Sequence, residues 1–350
     1  MITAGEAGST VRAEVVDRRK RVGDLAVRFL SAYGVFIAIG VLFAVFSVLI
    51  PAFFSMTNIT NILRAISITT VIAIGVTMGL CANAFNLAVA AVAGLASALA
   101  AGLMVWNLVP TPLAILFPLI VGGLVGSLIA FFVIRFRIDD LLASLPMMFI
   151  AQGAELTYTG GLNIYSNMLK PAPGGGYITA PGAISHSFLR LGQGYIGFVP
   201  TPVIVMLAAI LVSHLFLNNT KWGRHLYATG GNMEAARLAG IPVHLYRVLA
   251  HVLTGVFAAM GGVMLTARMA SAQSMAAHGL LLDCIAASFI GYAVLGAGKP
   301  NIIGTFTGAV LMGIMVNGLT MLNIPYTAQD IFKGLILLGA LGISRMAARR

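Results

Sequence analysis

Residues 221–247 read KWGRHLYATGGNMEAARLAGIPVHLYR, the longest charged interruption between two apolar halves of the chain. The stretch carries four basic residues but a single acidic one, Glu234. Asn232 followed by MEAARLA predicts a short helix, because an asparagine side chain at this position accepts from a free backbone N–H of the first turn. Gly240 ahead of Pro242 predicts where that helix ends. A short polar helix between two apolar segments is expected to face solvent and to meet a partner or a lipid surface.

The composition around this stretch indicates an integral membrane protein. Of the 350 residues, 59% are hydrophobic and only 9% are charged, which is too apolar for a soluble domain. The net charge of +11 does not indicate a nucleic-acid partner, since the basic residues lie at the ends and in loops, and none lies between Arg64 and Arg135. Two cysteines and six scattered histidines form no metal-ligand pattern, so no metal site is expected.

The apolar segments predict an all-α fold, a polytopic bundle of transmembrane helices. A run of about 20 residues crosses about 30 Å of hydrocarbon, since a helix rises about 1.5 Å per residue. About ten runs meet or approach this length: Tyr33–Ile50, Ile62–Leu80, Phe85–Trp106, Leu113–Ile134, Leu141–Tyr158, Phe198–Leu217, Leu245–Ala267, Leu281–Leu295, Ile302–Leu322 and Ile331–Ile343.

Charge placement predicts the orientation of these crossings. With a cytoplasmic N terminus, 16 of the 21 basic residues fall on the cytoplasmic side, as the positive-inside rule requires. Residues 1–30 are then a basic cytoplasmic tail, 31–344 a single transmembrane domain and 345–350 a second cytoplasmic tail. Within the domain, residues 160–198 form an external loop and residues 218–244 a cytoplasmic loop.

Three stretches carry a resemblance to a known family. They are TGGNMEAARLAGI in the central loop, PAFFSMTNITNILRAISITTVIAIGVTMGL before it, and LDCIAASFIGYAVLGAGKPNIIGTFTGAVLMGIMVNGL after it. Together they resemble the ribose-type sugar-importer permeases of the ATP-binding-cassette (ABC) superfamily. The resemblance covers roughly residues 33–344 and implies the ABC importer permease fold.

The resemblance also implies a function. The chain is expected to be a permease subunit of an ATP-driven importer for a sugar or related polyol-like solute, such as ribose, xylose, galactose or inositol, in the bacterial inner membrane. Expected partners are cytoplasmic ATPase subunits that hold ATP and Mg²⁺, a periplasmic solute-binding protein, membrane lipid, and a second permease subunit, identical or not. The permease itself is expected to bind no cofactor and to catalyse no reaction. The implied ATPase-coupling residues are Gly230, Gly231, Asn232, Glu234, Ala235, Arg237 and Gly240.

Polar residues inside or at the ends of crossings are candidates for the translocation pathway, because each needs a partner or a water-filled path. Asn83 and Asn86 can hydrogen-bond sugar hydroxyls, or they can satisfy a broken helix end. The family usually has a Gly-Gly-Ile-Asp-Leu-Ser-like motif here, whereas this chain has Asn83-Ala-Phe-Asn-Leu-Ala and lacks the acid and the serine. This departure leaves the solute open.

Three further residues are pathway candidates. Asp283 matches a family aspartate at the start of the eighth crossing, where it either faces the pathway or complements the helix dipole. Asn317 matches a family asparagine and either faces the pathway or bridges helices. Glu155 lies near the external end of the fifth crossing and has no evident partner in the sequence. Asp330 and Lys333, three residues apart, predict a surface ion pair.

The sequence contains two motifs of closely spaced glycines and disfavours three other classes of protein. Gly122-x-x-x-Gly126 and Gly304-x-x-x-Gly308 predict close helix packing, more within the chain than between chains. An enzyme is disfavoured, since Lys299 is followed by proline and no serine elbow or zinc helix is present. An ion-coupled transporter or channel acting without an ATPase is the main alternative, but it normally needs buried carboxylates within its crossings. A structural or assembly protein leaves the docking loop unexplained.

Overall fold

A computed structural model of the chain describes residues 34–171, 176–293 and 299–348. The predicted tail 1–30 lies outside the described residues, as do Arg349 and Arg350. The described part is mostly helical, with 13 α-helices and six strands of two or three residues.

The helices are α1 (Gly34–Leu49), α2 (Met56–Cys81), α3 (Val89–Val105), α4 (Thr111–Phe136), α5 (Asp140–Thr159), α6 (His186–Gln193), α7 (Thr201–Asn219), α8 (Lys221–Gly231), α9 (Met233–Leu238), α10 (Val243–Met269), α11 (Leu280–Ala293), α12 (Ile302–Met321) and α13 (Tyr326–Ala348). The strands are β1 (Ile164–Tyr165), β2 (Leu169–Pro171), β3 (Tyr177–Thr179), β4 (Tyr195–Ile196), β5 (Val199–Pro200) and β6 (Ser271–Ala272).

Several of these helices match the predicted crossings. Five described helices, α2, α4, α7, α10 and α12, are long and apolar enough to span a membrane. Three more, α1, α3 and α11, are apolar but shorter, and α5 and α13 have 20 and 23 residues. The count of ten crossings therefore stays a prediction. At the C-terminal end, α13 continues to Ala348, beyond residue 344, where the transmembrane domain was predicted to end.

The centre of the bundle is built from α2, α3 and α10. Of the 17 residues of α3, 15 are buried, and its sequence VAAVAGLASALAAGLMV is rich in alanine and glycine. Helices in lipid gain little from hydrophobic burial alone, so small side chains that allow close approach favour packing. The helix α10 packs against α2, α3 and α4, and Thr254 of α10 donates to the Gly75 carbonyl of α2 at 2.8 Å.

Both glycine motifs pack within the chain, as predicted. A Cβ at Gly122 would collide with the backbone of α10 at Gly255, and Gly126 meets the same helix one turn later. Gly304 and Gly308 meet the backbone of α11 in the same way. At these contacts the backbone of α4 lies directly against that of α10, and the backbone of α12 directly against that of α11.

The bundle has two ends. We call one the α9 end, since it carries α8, α9 and the starts of α5, α10 and α12. We call the other the hairpin end, since it carries the strands and α6. The predicted loop 160–198 was expected to lack a continuous helix, and it folds into short pieces: a β2–β3 hairpin, the eight-residue helix α6, and β4, which pairs with β5. Strand β1 pairs antiparallel with β6, with Ile164 opposite Ala272, and so ties this loop to the segment after α10.

Candidate docking surface and polar cavity

The central polar stretch folds into two short helices, and α9 agrees with the predicted one. The Asn232 side chain caps α9 by accepting from the Ala235 N–H at 2.9 Å. The helix ends at Leu238, and Gly240 follows with φ of +78°, a conformation that residues with a Cβ rarely adopt. Upstream, the Thr220 hydroxyl caps α8 by accepting from the Gly223 N–H at 3.2 Å.

The surface of α9 points away from the rest of the chain. Glu234 and Arg237 are exposed, and Leu238 has 87% of its surface accessible, whereas Ala236 is buried against the bundle. Of the seven predicted docking residues, six are exposed: Gly231, Asn232, Glu234, Ala235, Arg237 and Gly240. The seventh, Gly230, lies against the end of α2, where a Cβ would collide with the Cys81 carbonyl. Their docking role stays a prediction.

Contacts from α8 reach the ends of three long helices. The Tyr227 hydroxyl donates to the Pro300 carbonyl at 2.7 Å, just before α12. Burial raises the pKa of the Tyr227 hydroxyl, and the neighbouring Cys81 thiol raises it further, so the group stays protonated and donates. On α10, the Tyr246 hydroxyl lies 2.6 Å from the Nδ1 atom of His225. Together with the Gly230 contact on α2, these interactions join α8 to α2, α10 and α12.

A buried charged cluster joins the starts of α5 and α10 at the same end of the bundle. Arg247 donates to one oxygen of Asp140 at 2.6 Å, and the Nε2 atom of His251 lies 2.8 Å from the other. The His251 side chain is fully buried, and those of Asp140 and Arg247 are only 12% and 16% exposed. Sequence analysis did not single out this cluster. Its signal was the spacing of Arg247 and His251, since residues four apart share a helix face.

A cavity of about 320 Å³ opens near the hairpin end between α2, α10, α11 and α12. Aliphatic side chains from all four helices form most of its wall. Its polar lining comes from Asn61, Thr69, Arg268, Asp283, Asn317 and Thr320. Two of the five predicted pathway residues, Asp283 and Asn317, therefore share one cavity.

The carboxylate of Asp283 pairs with a lysine from a distant helix. The Nζ atom of Lys333 lies 2.9 Å from an Asp283 oxygen and 3.5 Å from an oxygen of Asp330. Both Lys333 and Asp283 are buried, with about a tenth of each side chain exposed. The predicted pair of Asp330 and Lys333 forms, but the predicted surface position is wrong for Lys333, because tertiary packing buries the lysine and gives it a closer partner in Asp283.

The side chain of Asn317 bridges helices, one of its two predicted alternatives, and it also lines the cavity. Its pathway role stays a prediction. Its amide nitrogen donates to the Asn58 side chain at 3.0 Å, and its oxygen accepts from Asn58 at 3.1 Å. Asn58 also donates to the Phe53 carbonyl at 2.9 Å, which fixes the orientation of the pair. The arrangement ties α12 to the start of α2.

The other three pathway candidates lie elsewhere. Asn83 has φ of +53° in the turn after α2, beside Gly230, and Asn86 accepts from the Ala88 N–H at 2.8 Å in the same turn. Glu155 is buried near the end of α5, where its carboxylate accepts from the Met275 N–H at 2.9 Å. These contacts lie outside the cavity, and a pathway role for these residues stays a prediction. Among the described residues, no three His, Cys, Asp or Glu side chains are grouped to hold a metal ion.

A bundle with five membrane-length apolar helices defines a multi-pass membrane protein. Residues 58–341 match the family described as "Branched-chain amino acid transport system / permease component". The chain is 34% identical over 313 residues to the ribose import permease protein RbsC of Haemophilus influenzae, covering 89% of this chain and 93% of that one.

Other curated relatives carry related names. The L-arabinose transport system permease protein AraH of Escherichia coli is 31% identical over 326 residues, covering 91% of this chain and 92% of the relative. The xylose transport system permease protein XylH of Haemophilus influenzae is 30% identical over 360 aligned positions, covering 90% and 96%. No solved structure matches the chain. The chain therefore belongs to the transport-system permease family that includes these sugar permeases, as its motifs predicted.

Proposed function

We propose that this chain is the transmembrane permease subunit of an ATP-driven, binding-protein-dependent ABC importer for a sugar or related polyol-like solute. The names of the relatives, which are ribose, L-arabinose and xylose permeases, support the solute class. In this proposal ten helices, α1 to α5, α7 and α10 to α13, cross the bacterial inner membrane, and both termini are cytoplasmic. The exposed Arg135 and Arg137 at the α9 end support that orientation, because basic residues favour the cytoplasmic side.

The observation that carries the proposal is the position of the α8–α9 element. Its exposed surface faces away from the chain, and its inner surface contacts the ends of α2, α10 and α12. The same three helices line the polar cavity near the opposite end of the bundle. A force applied to α8 and α9 therefore reaches the cavity through continuous helices.

In the proposed mechanism, a separate ATPase binds the exposed face of α9 through Glu234, Arg237 and Leu238. The ATPase holds ATP and Mg²⁺, and the permease takes no part in hydrolysis. Closure of the ATPase subunits displaces α8 and α9, and the Tyr227–Pro300 hydrogen bond passes that displacement to α12. The helices then move as rigid bodies between two states that bind the ATPase differently, which is how a ligand biases a conformational equilibrium.

The hairpin end is the proposed face for the periplasmic solute-binding protein. It presents Tyr177, Tyr195 and the fully accessible Phe198, a set of exposed aromatic side chains of the kind enriched in protein interfaces. A second permease subunit, identical or not, completes the pathway, and lipid covers the remaining apolar surface.

The test is sugar uptake into vesicles that hold the permease with its ATPase and binding protein. The double variant Glu234→Ala/Arg237→Ala is expected to fold and to lose ATP-driven uptake at least tenfold. The matched control is Arg135→Ala/Asp139→Asn, which removes one charge of each sign at the same end but off α9, and it should transport normally. Normal uptake by the Glu234→Ala/Arg237→Ala variant, equal to that of the control, would refute docking through α9. Uptake by the permease alone under an ion gradient would support the ion-coupled alternative.

A further inference from the structure

The cavity near the hairpin end has the size of a site for one small molecule. Sites for small ligands measure roughly 300–1,000 Å³ and combine apolar walls with a few converging polar groups. The cavity, at about 320 Å³, lies at the lower end of that range. A single sugar ring suits this volume better than an oligosaccharide does.

The lining offers the groups that bind hydroxyls. The carboxylate of Asp283 only accepts hydrogen bonds, Arg268 only donates, and the amides of Asn61 and Asn317 do both. Asn61 is exposed, and its side chain makes no hydrogen bond with any described residue. Aliphatic side chains such as Ile68 face these groups and can cover the C–H face of a sugar ring.

The charge of the lining selects for a neutral solute. Among the lining residues Arg268 is the sole cation and Asp283 the sole anion. Behind Asp283, Lys333 and Asp330 again contribute one charge of each sign. A sugar phosphate or sugar acid would therefore meet the Asp283 carboxylate in the lining, and such like-charge contacts are how sites reject ligands. Arg64, a further cation near Arg268, lies outside the lining, where it donates to the Gln193 carbonyl and lies over the Tyr195 ring.

Stability does not explain why Asp283 and Lys333 are buried. Removing two charges from water costs about as much as their attraction returns, so a buried ion pair adds little net stability. Ligand binding at the cavity wall would account for a carboxylate held in this position. Lys333 then acts as a positioning residue, since it fixes the carboxylate without lining the cavity itself.

We propose that this cavity is a binding subsite for a neutral monosaccharide, in which Asp283, Asn61 and Asn317 hydrogen-bond the sugar hydroxyls after its release from the binding protein. This inference rests on the proposed function and adds the location and charge preference of a site within the permease. The subsite is expected to bind weakly, since a transported solute must also leave.

The first experiment uses equilibrium dialysis to measure the binding of radiolabelled D-ribose, D-xylose and L-arabinose to the purified permease–ATPase complex without binding protein. At least one sugar should bind, and D-gluconate, a sugar acid, should bind at least tenfold more weakly. Asp283→Asn should weaken sugar binding about tenfold, because hydrogen bonds to charged groups are the stronger ones. The matched control is Asp330→Asn, the other carboxylate on Lys333, which lies outside the lining and should leave binding within twofold of the wild type.

Asn61→Ala provides a variant with little risk to folding, because Asn61 is exposed, and it should weaken binding about threefold to tenfold. Uptake by the complete reconstituted importer separates the two proposals. If the wild type imports a sugar while Asp283→Asn and Asn61→Ala bind and import it normally, the subsite is overturned and the importer function stands. If the wild type imports none of the sugars, the solute class given in the proposed function is refuted. Binding of D-gluconate as tight as that of the sugars would overturn the charge preference.

Discussion

The cluster of Asp140, Arg247 and His251 leads to a quantitative prediction about the α9 end of the bundle. In the variant Asp140→Asn, the side chain keeps its size but loses its charge, and Arg247 stays buried without a counter-ion. Removing one partner of a buried pair costs about 3–5 kcal/mol. Because the Asp140 and Arg247 side chains are 12% and 16% exposed, water offsets part of that cost. We expect a loss of about 2–4 kcal/mol in the free energy of unfolding.

The assay is equilibrium unfolding of the purified permease in mixed micelles with increasing denaturing detergent. The matched control is Asp139→Asn, which alters the neighbouring aspartate. Asp139 is exposed and caps α5 by accepting from the Leu141 N–H at 2.9 Å, and asparagine caps a helix about equally well. The control should therefore change stability by less than about 0.5 kcal/mol.

A second substitution tests the charge argument itself. In the double variant Asp140→Asn/Arg247→Met, no uncompensated guanidinium remains, so part of the lost stability should return. We expect the two substitutions together to cost at least about 1 kcal/mol less than the sum of their separate effects. The reasoning is refuted if Asp140→Asn is as stable as Asp139→Asn, or if the two effects simply add.

Three further predictions concern other contacts. Tyr227→Phe removes the hydrogen bond to the Pro300 carbonyl and should cost about 1–2 kcal/mol in unfolding experiments, while sugar uptake per ATP hydrolysed falls; an unchanged ratio would argue against transmission through this contact. Gly255→Ala places a methyl group against the backbone of α4 and should cost at least about 1–3 kcal/mol, whereas Gly153→Ala, with no atom within 4 Å of the new Cβ, should be neutral or stabilising in the same assay. Asn232→Ala should cost about 1 kcal/mol of local α9 stability, seen as faster amide hydrogen exchange there.

Local features of the chain were predictable because their causes are local. The cap of α9 at Asn232 and its end before Gly240 follow from the residues themselves, and the structure has both. The apolar segments predicted α1 and most long helices within a few residues, because hydrocarbon thickness sets their length. The glycine spacing at Gly122 and Gly126 predicted close helix packing, which the contact with α10 confirms. Family membership followed from motifs, and the comparisons agree.

The arrangement of distant polar residues was not predictable from one sequence. The sequence does not separate the five pathway candidates by position, and only folding placed Asp283 and Asn317 on one cavity while leaving Asn83, Asn86 and Glu155 in contacts outside it. The short strands of the hairpin end were also missed, because two- and three-residue strands carry almost no periodic signal.

The sequence by itself determined the class of protein, the helical architecture and the polar element at its centre. Hydropathy, glycine spacing and capping act over a few residues, and their consequences are therefore visible in the linear order. Tertiary structure decided which charges pair. Lys333 lies 50 residues from Asp283 in the chain, and Asp140 more than 100 from Arg247, yet helix packing brings each pair within hydrogen-bonding distance and away from water. The cost of leaving a buried charge uncompensated then makes these pairings specific to the folded state.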